Sequence, residues 1–99
     1  MIMNAIRCPR CLIHEQSYKA PLGQCIRNPY ADLTKAVYDP CIACEGTGYV
    51  STLVVESICN AFPKDPESIL ASLRWSGDHF SFIRWGMYIG VELDGYIHS

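Results

Sequence analysis

The stretch Cys41-Ile42-Ala43-Cys44-Glu45-Gly46-Thr47-Gly48 decides how the rest of the chain is read. Only Cys8-Pro9-Arg10-Cys11 elsewhere in the sequence can complete it. Each Cys-x-x-Cys pair can place two sulfurs on one side of a tight turn. Two such pairs supply the four thiolates of a closed tetrahedral site for one Zn2+ ion, with Zn–S distances of about 2.3 Å. Gly46 and Gly48 let the backbone leave the second turn through conformations that a side chain would block. Cys8, Cys11, Cys41 and Cys44 are therefore the expected metal ligands, and one structural Zn2+ the expected cofactor. Such a site has no open coordination position, which a catalytic zinc requires.

The 99 residues suit one domain with a thin core. Metal binding would strengthen it, because in small domains binding free energy becomes folding free energy. Charged residues make up 18% and hydrophobic residues 49%, against about 25% charged in typical soluble domains. Some apolar surface is therefore expected to meet a partner or a second copy. The formal net charge is −2, and four thiolates with one Zn2+ lower it to about −4. That balance opposes the sequence-independent phosphate attraction of general nucleic-acid binders. No segment reaches the ~18–20 apolar residues of a membrane span. Residues 1–6, followed at once by Arg7, are too short for a signal-peptide core. Six cysteines could form three disulfides in a secreted domain, but the paired spacing without an export signal favours metal in a reducing cytoplasm.

The expected organisation is a single domain, 1–99, made of a zinc-knuckle half (1–52, with a long insert 12–40) and a second half (53–99). Pro21, Gly23, Asn28-Pro29 and Asp39-Pro40 punctuate the insert, which reads as loop and turn with one short helix over 30–37. No helix is expected behind either cysteine pair. That weighs against redox dithiols, which sit at helix N-termini where the dipole lowers a thiol's pKa. Residues 48–52 read as a strand. Val54, Val55, Ile58, Cys59 and Phe62 share one face of a helix over 53–62. Asp65 as N-cap and Pro66 at the first position start another, with Ile69, Leu70 and Leu73 as its apolar face and Gly77 as its stop. Ile83, Trp85, Met87, Ile89, Val91 and Leu93 alternate as in a strand, with a third helix capped by Asp78 as the rival reading. Asp94-Gly95 marks a turn into a short return strand. The fold class is α+β: a small zinc-ribbon-like N-terminal half, two short helices and a C-terminal β-hairpin or meander.

No catalytic constellation is visible, and the chain is read as a non-enzyme. Cys59 is expected to be a small buried hydrophobe. Cys25 is spare or a replacement ligand, and His14 is a solvent-facing loop residue or an alternative ligand. Arg7, Arg10, Lys19 and Arg27 gather around the first knuckle, either as a phosphate-contacting patch or as a solvated face that offsets thiolate charge. The solvated face is the preferred reading. Tyr18, Tyr30, Tyr38 and Tyr49 suit stacking or a protein interface equally. Trp75 and Trp85 are expected to pack the C-terminal half, and either one would anchor an interface if exposed. The row with Phe82 and Tyr88, together with Tyr96, is expected to stay exposed and bind a partner.

The spacing Cys41-x-x-Cys44-x-Gly46-x-Gly48 resembles the DnaJ-type cysteine-rich zinc module. Preceded by Cys8-Pro-Arg-Cys11 and followed by a helix-forming stretch, it is also similar to the small Anti-TRAP family and to the zinc-binding part of some bacteriophage antitermination proteins. The likeness covers residues 8–11 and 41–50. The first pair lacks the Gly-x-Gly tail, and the insert is longer than in minimal modules. The resemblance implies a phage or bacterial regulator or inhibitor, in the cytoplasm of a bacterial host, that binds a larger host protein. An antiterminator-like nucleic-acid binder is the alternative, and self-association remains open.

Overall fold

The computed structural model describes residues 5–29 and 33–99, and the chain divides into two compact units, Met1–Tyr49 and Val50–Ser99. The architecture is α+β, with three α-helices and two antiparallel sheets among the described residues.

In the first unit, α1 (Pro9–Tyr18) starts directly behind the first cysteine of the first pair. Cys8 is its extended N-cap and Pro9 its first residue, where a fixed φ and a missing N–H cost a helix nothing. Lys19 ends it in the left-handed conformation (φ 55°), with its N–H donating to Glu15 O and that of Ala20 to His14 O. The expectation of no helix here is thus corrected. Pro9 at the first helical position was the legible signal, and the following Leu-Ile-His-Glu run sustains the turn. The rest of the insert holds a small hairpin, β1 (Gln24–Ile26) against β2 (Tyr38–Pro40), with Cys25 opposite Asp39. Of the helix expected over 30–37, residues 33–35 form a 3-10 turn and residues 30–32 lie outside the described residues. Residues 48–52 are not a strand. Tyr49 makes one isolated bridge to Arg7, and Ser51 already caps the next helix.

In the second unit, α2 (Thr52–Ala61) begins where the Ser51 side chain accepts the Leu53 N–H at 3.1 Å. α3 (Pro66–Ala71) begins at Asp65, which accepts from Ser68 N. It ends at Ser72, six residues short of Asp78, so Gly77 does not close it. Leu73, beyond the helix, still reaches the core. A four-stranded meander follows: β3 (Arg74–Trp75), β4 (Phe80–Arg84), β5 (Met87–Val91) and β6 (Ile97–His98), paired in that order.

Residues 83–93 are therefore strand rather than helix, but they are not one strand. The chain reverses at Trp85-Gly86, where both residues have positive φ (53° and 74°) and Arg84 pairs with Met87. Both central residues left-handed is the pattern of a type I′ two-residue hairpin, whose twist matches that of the strands. The reversal puts Phe80 opposite Val91 and Phe82 opposite Ile89, and all four are buried. They pack with Val54, Ile58, Ile69 and Leu70 from the helices as the core of this unit. Phe62 meets Phe82 edge-on at 5.5 Å, and Trp75 meets Phe80 at 5.1 Å.

Candidate metal centre

Both cysteine pairs are held by backbone rather than by chance proximity. The helical turn from Cys8 to Cys11 sets two side chains three residues apart on one face. The second pair sits in a loop closed by Gly46 N–H to Cys41 O (3.0 Å) and Thr47 N–H to Cys44 O (3.2 Å). Two further bonds join the pairs to their surroundings: Cys8 N–H to Gly48 O at 2.9 Å, and Cys41 N–H to Gly23 O at 2.8 Å. Gly23 is pressed so closely on the loop that a Cβ there would lie 2.2 Å from Gly46 O. The hairpin and the glycines of the second pair thus clamp one cysteine turn against the other.

The result is one cluster. The Sγ atoms of Cys8, Cys11, Cys41 and Cys44 all lie within 4.8 Å of one another, with Cys8–Cys41 at 3.9 Å and Cys11–Cys44 at 3.5 Å. Four sulfurs at about 2.3 Å from a shared ion would be about 3.8 Å apart, so the spacing fits a tetrahedral metal ion. All four are buried, Cys44 at 5% and the others at 0%. Gly48 N–H donates to Cys44 Sγ at 3.1 Å. Burial pushes the Cys8 thiol up to about 12 and raises that of Cys11 further. At Cys41 burial also opposes ionisation, but the Arg10 guanidinium and the Cys44 and Ala43 backbone N–H groups outweigh it and bring the thiol down to about 6. A bound cation would favour the thiolate form of its ligands.

A fifth sulfur stands beside these four. Arg10 Nη1 donates to Cys25 Sγ at 3.0 Å and to Cys41 Sγ at 3.7 Å. Cys25 is 3% exposed, and burial, followed by its bond to Cys41, lifts its thiol to about 11. The sequence leaves Cys25 as spare, because only the β1–β2 register brings it to the cluster. His14 is corrected as well: it is half-buried on α1 and its Nδ1 accepts the Ile26 N–H at 3.1 Å, so it anchors β1 and is not a loop residue in solvent. Burial, and then the Arg10 charge, hold its pKa below the ordinary histidine value. Cys59 is half-buried rather than fully enclosed.

The presence of α1 removes the ground given above against redox chemistry at the first pair. Cys8, at the helix N-terminus, is fully buried.

The arginines of the first unit are committed inside it. Arg7 pairs with Glu15 and lies over the Tyr49 ring, Arg10 holds the sulfurs, and Arg27 grips Asp39 through two bonds of 2.9 and 2.6 Å. Lys19, at the end of α1, is exposed. In the second unit, Phe82 is 2% exposed and faces the core, which corrects the expectation of an exposed Phe82. The reversal at Trp85-Gly86 turns its row inward. Tyr88 and Tyr96 are exposed, but the register sets Tyr88 toward the Trp85-Gly86 turn and Tyr96 beyond the other end of β5. Trp85 is the most exposed large hydrophobic residue among the described residues, at 77%. His79 and His98, without visible partners in the sequence, bind Asp78 and Glu92. No helix among the described residues is long and apolar enough to cross a membrane. No protein-family model, characterised protein or solved structure matches this chain.

Proposed function

We propose that the protein is a small zinc-stabilised adaptor or inhibitor that acts by binding a larger protein, with the metal as a staple and not as a reagent. The observation that carries this reading is the closure of the cluster: four buried sulfurs at spacing suited to a tetrahedral ion would fill every position around it. Four thiolates suit zinc or iron, and the closed tetrahedral four-sulfur set favours a structural zinc. Function then falls to the surface, where Trp85, Tyr88 and Tyr96 offer the aromatic anchors that protein interfaces favour. Regulation of a bacterial or phage-host enzyme complex rests on the resemblance of the cysteine spacing alone.

Nucleic-acid binding is the weaker reading, since Arg7, Arg10 and Arg27 already have partners within their own unit. The test is affinity capture from a bacterial lysate with and without nuclease. A stoichiometric protein retained after nuclease supports an adaptor or inhibitor. Retention that vanishes with nuclease replaces it with the nucleic-acid reading.

A further inference from the structure

At the tip of the β4–β5 hairpin an arginine is held ready for an acceptor that none of the described residues supplies. Arg84 lies over two aromatic rings, 5.2 Å from the Trp85 centroid and 5.6 Å from that of Phe62. Its Nε–H is buried without a hydrogen-bond partner. Its one ionic neighbour, Asp65, is 3.7 Å away, beyond hydrogen-bond length. A guanidinium carries five donors in a rigid fork, and leaving donors unpaired where water is excluded is costly.

The backbone beside it is strained. Trp85 has φ 53°, a region that asparagine or glycine enters cheaply and a bulky residue does not. Its ring is nevertheless 77% exposed, so core packing does not explain why tryptophan occupies the turn. Strain kept at an exposed aromatic beside an under-used arginine points to a ligand clamp.

Between these groups is a cavity of about 200 Å3, lined by Phe62, Pro63, Lys64, Asp65, Arg84 and Trp85 among others. Pockets for cofactors and drug-sized molecules run from about 300 Å3 upward, so this one is the size of a single side chain. Lys64 and Arg84 against the single carboxylate of Asp65 leave its lining with one net positive charge. The surrounding unit does not favour a polyanion: after residue 50 the cations are Lys64, Arg74 and Arg84, against Glu56, Asp65, Glu67, Asp78, Glu92 and Asp94. One carboxylate fits where a phosphate backbone is repelled.

We infer that the Arg84–Trp85 cavity binds one carboxylate of a partner polypeptide, with the guanidinium fork on the carboxylate and the Trp85 ring against the neighbouring apolar residue. The partner class rests on the protein-binding reading given above, while the site itself is tested without that partner. The probes are N-acetyl-Leu-Glu-Leu-amide, its Gln counterpart, N-acetyl-Leu-Leu with a free C-terminus, and inorganic phosphate. Each is titrated into the 15N-labelled full chain while the Trp85 indole and Arg84 Nε–H resonances are followed.

Saturable shifts are expected with the Glu peptide or the free-terminus peptide, whichever binds more tightly naming the carboxylate as side chain or chain end. The Gln peptide should bind at least about tenfold more weakly. Arg84→Lys should weaken binding about tenfold although it keeps the charge. Trp85→Asn should weaken binding while raising the unfolding midpoint, because it relieves the turn. Equal binding of the Glu and Gln peptides, phosphate binding as tight as the peptides, or no shift at either reporter would overturn the assignment. Lysate capture without a partner would count against the adaptor reading and leave this result standing.

Discussion

Arg10 Nη1 lies 3.0 Å from the Sγ of Cys25, 15 residues further along the chain, and the same nitrogen reaches Cys41 Sγ at 3.7 Å. One helix residue thus supports a sulfur of the metal cluster and orders the hairpin behind it. The consequence separates ligand from neighbour. Cys25→Ser should keep the metal, since four sulfurs remain. Arg10→Ala should lower metal affinity about 10–100-fold, the usual effect of removing a donor to a ligand. Competition with a chromophoric chelator reads both, and loss of metal from Cys25→Ser would make Cys25 a ligand.

His14 gives the first unit a pH dependence. Burial and the Arg10 charge lower its pKa in the folded chain, while unfolded histidine titrates near 6.5. Below that value the unfolded state takes up a proton that the folded state resists, so this contribution is complete above it and is lost as the pH falls. His14→Gln keeps an acceptor for Ile26 N–H and should flatten the decline in unfolding midpoint between about pH 8 and pH 5. Parallel curves for the two proteins would assign the acid sensitivity to other groups.

Gly23→Ala should break the clamp around the second cysteine turn. The new Cβ would meet Gly46 O at 2.2 Å, at a residue with φ 77°. The cost is at least about 1–3 kcal/mol, with metal affinity falling alongside. An alanine variant with unchanged melting temperature and metal content would show that the approach of Gly23 is not needed.

How much of this was legible depends on the range of each constraint. The cysteine spacing, the Asp65-Pro66 helix start and the face containing Val54 and Ile58 are local patterns, and the structure contains all of them. Cys25 at the cluster is not local: it follows from pairing two strands across the insert. The burial of Phe82 is not legible because Trp85-Gly86 is not a usual turn pair. Reading the strand straight through it exchanged the two faces. The Arg84 cavity was invisible for the same reason, since it forms where that turn meets the loop after α2.

The two faces of the hairpin should now separate stability from binding. Phe80→Ala removes a fully buried ring and should cost about 3–5 kcal/mol. Tyr88→Ala, 71% exposed in the wild type, should change stability by no more than about 0.5 kcal/mol. It should weaken partner binding by about 1–2 kcal/mol. Denaturant melts with a binding titration of each variant check this, and a Tyr88→Ala chain that binds its captured partner normally would remove Tyr88 from the interface.

Metal content by elemental analysis, on protein purified under reducing conditions, bears most directly on the central claim. Wild type and Cys59→Ala should each contain one zinc per chain, and Cys44→Ser should contain little, with the first unit losing its order, because Cys25, the sulfur beside the cluster, lies outside the mutually close group of four. Wild-type protein without zinc, or a Cys44→Ser chain that keeps a full equivalent, would contradict the four-sulfur site.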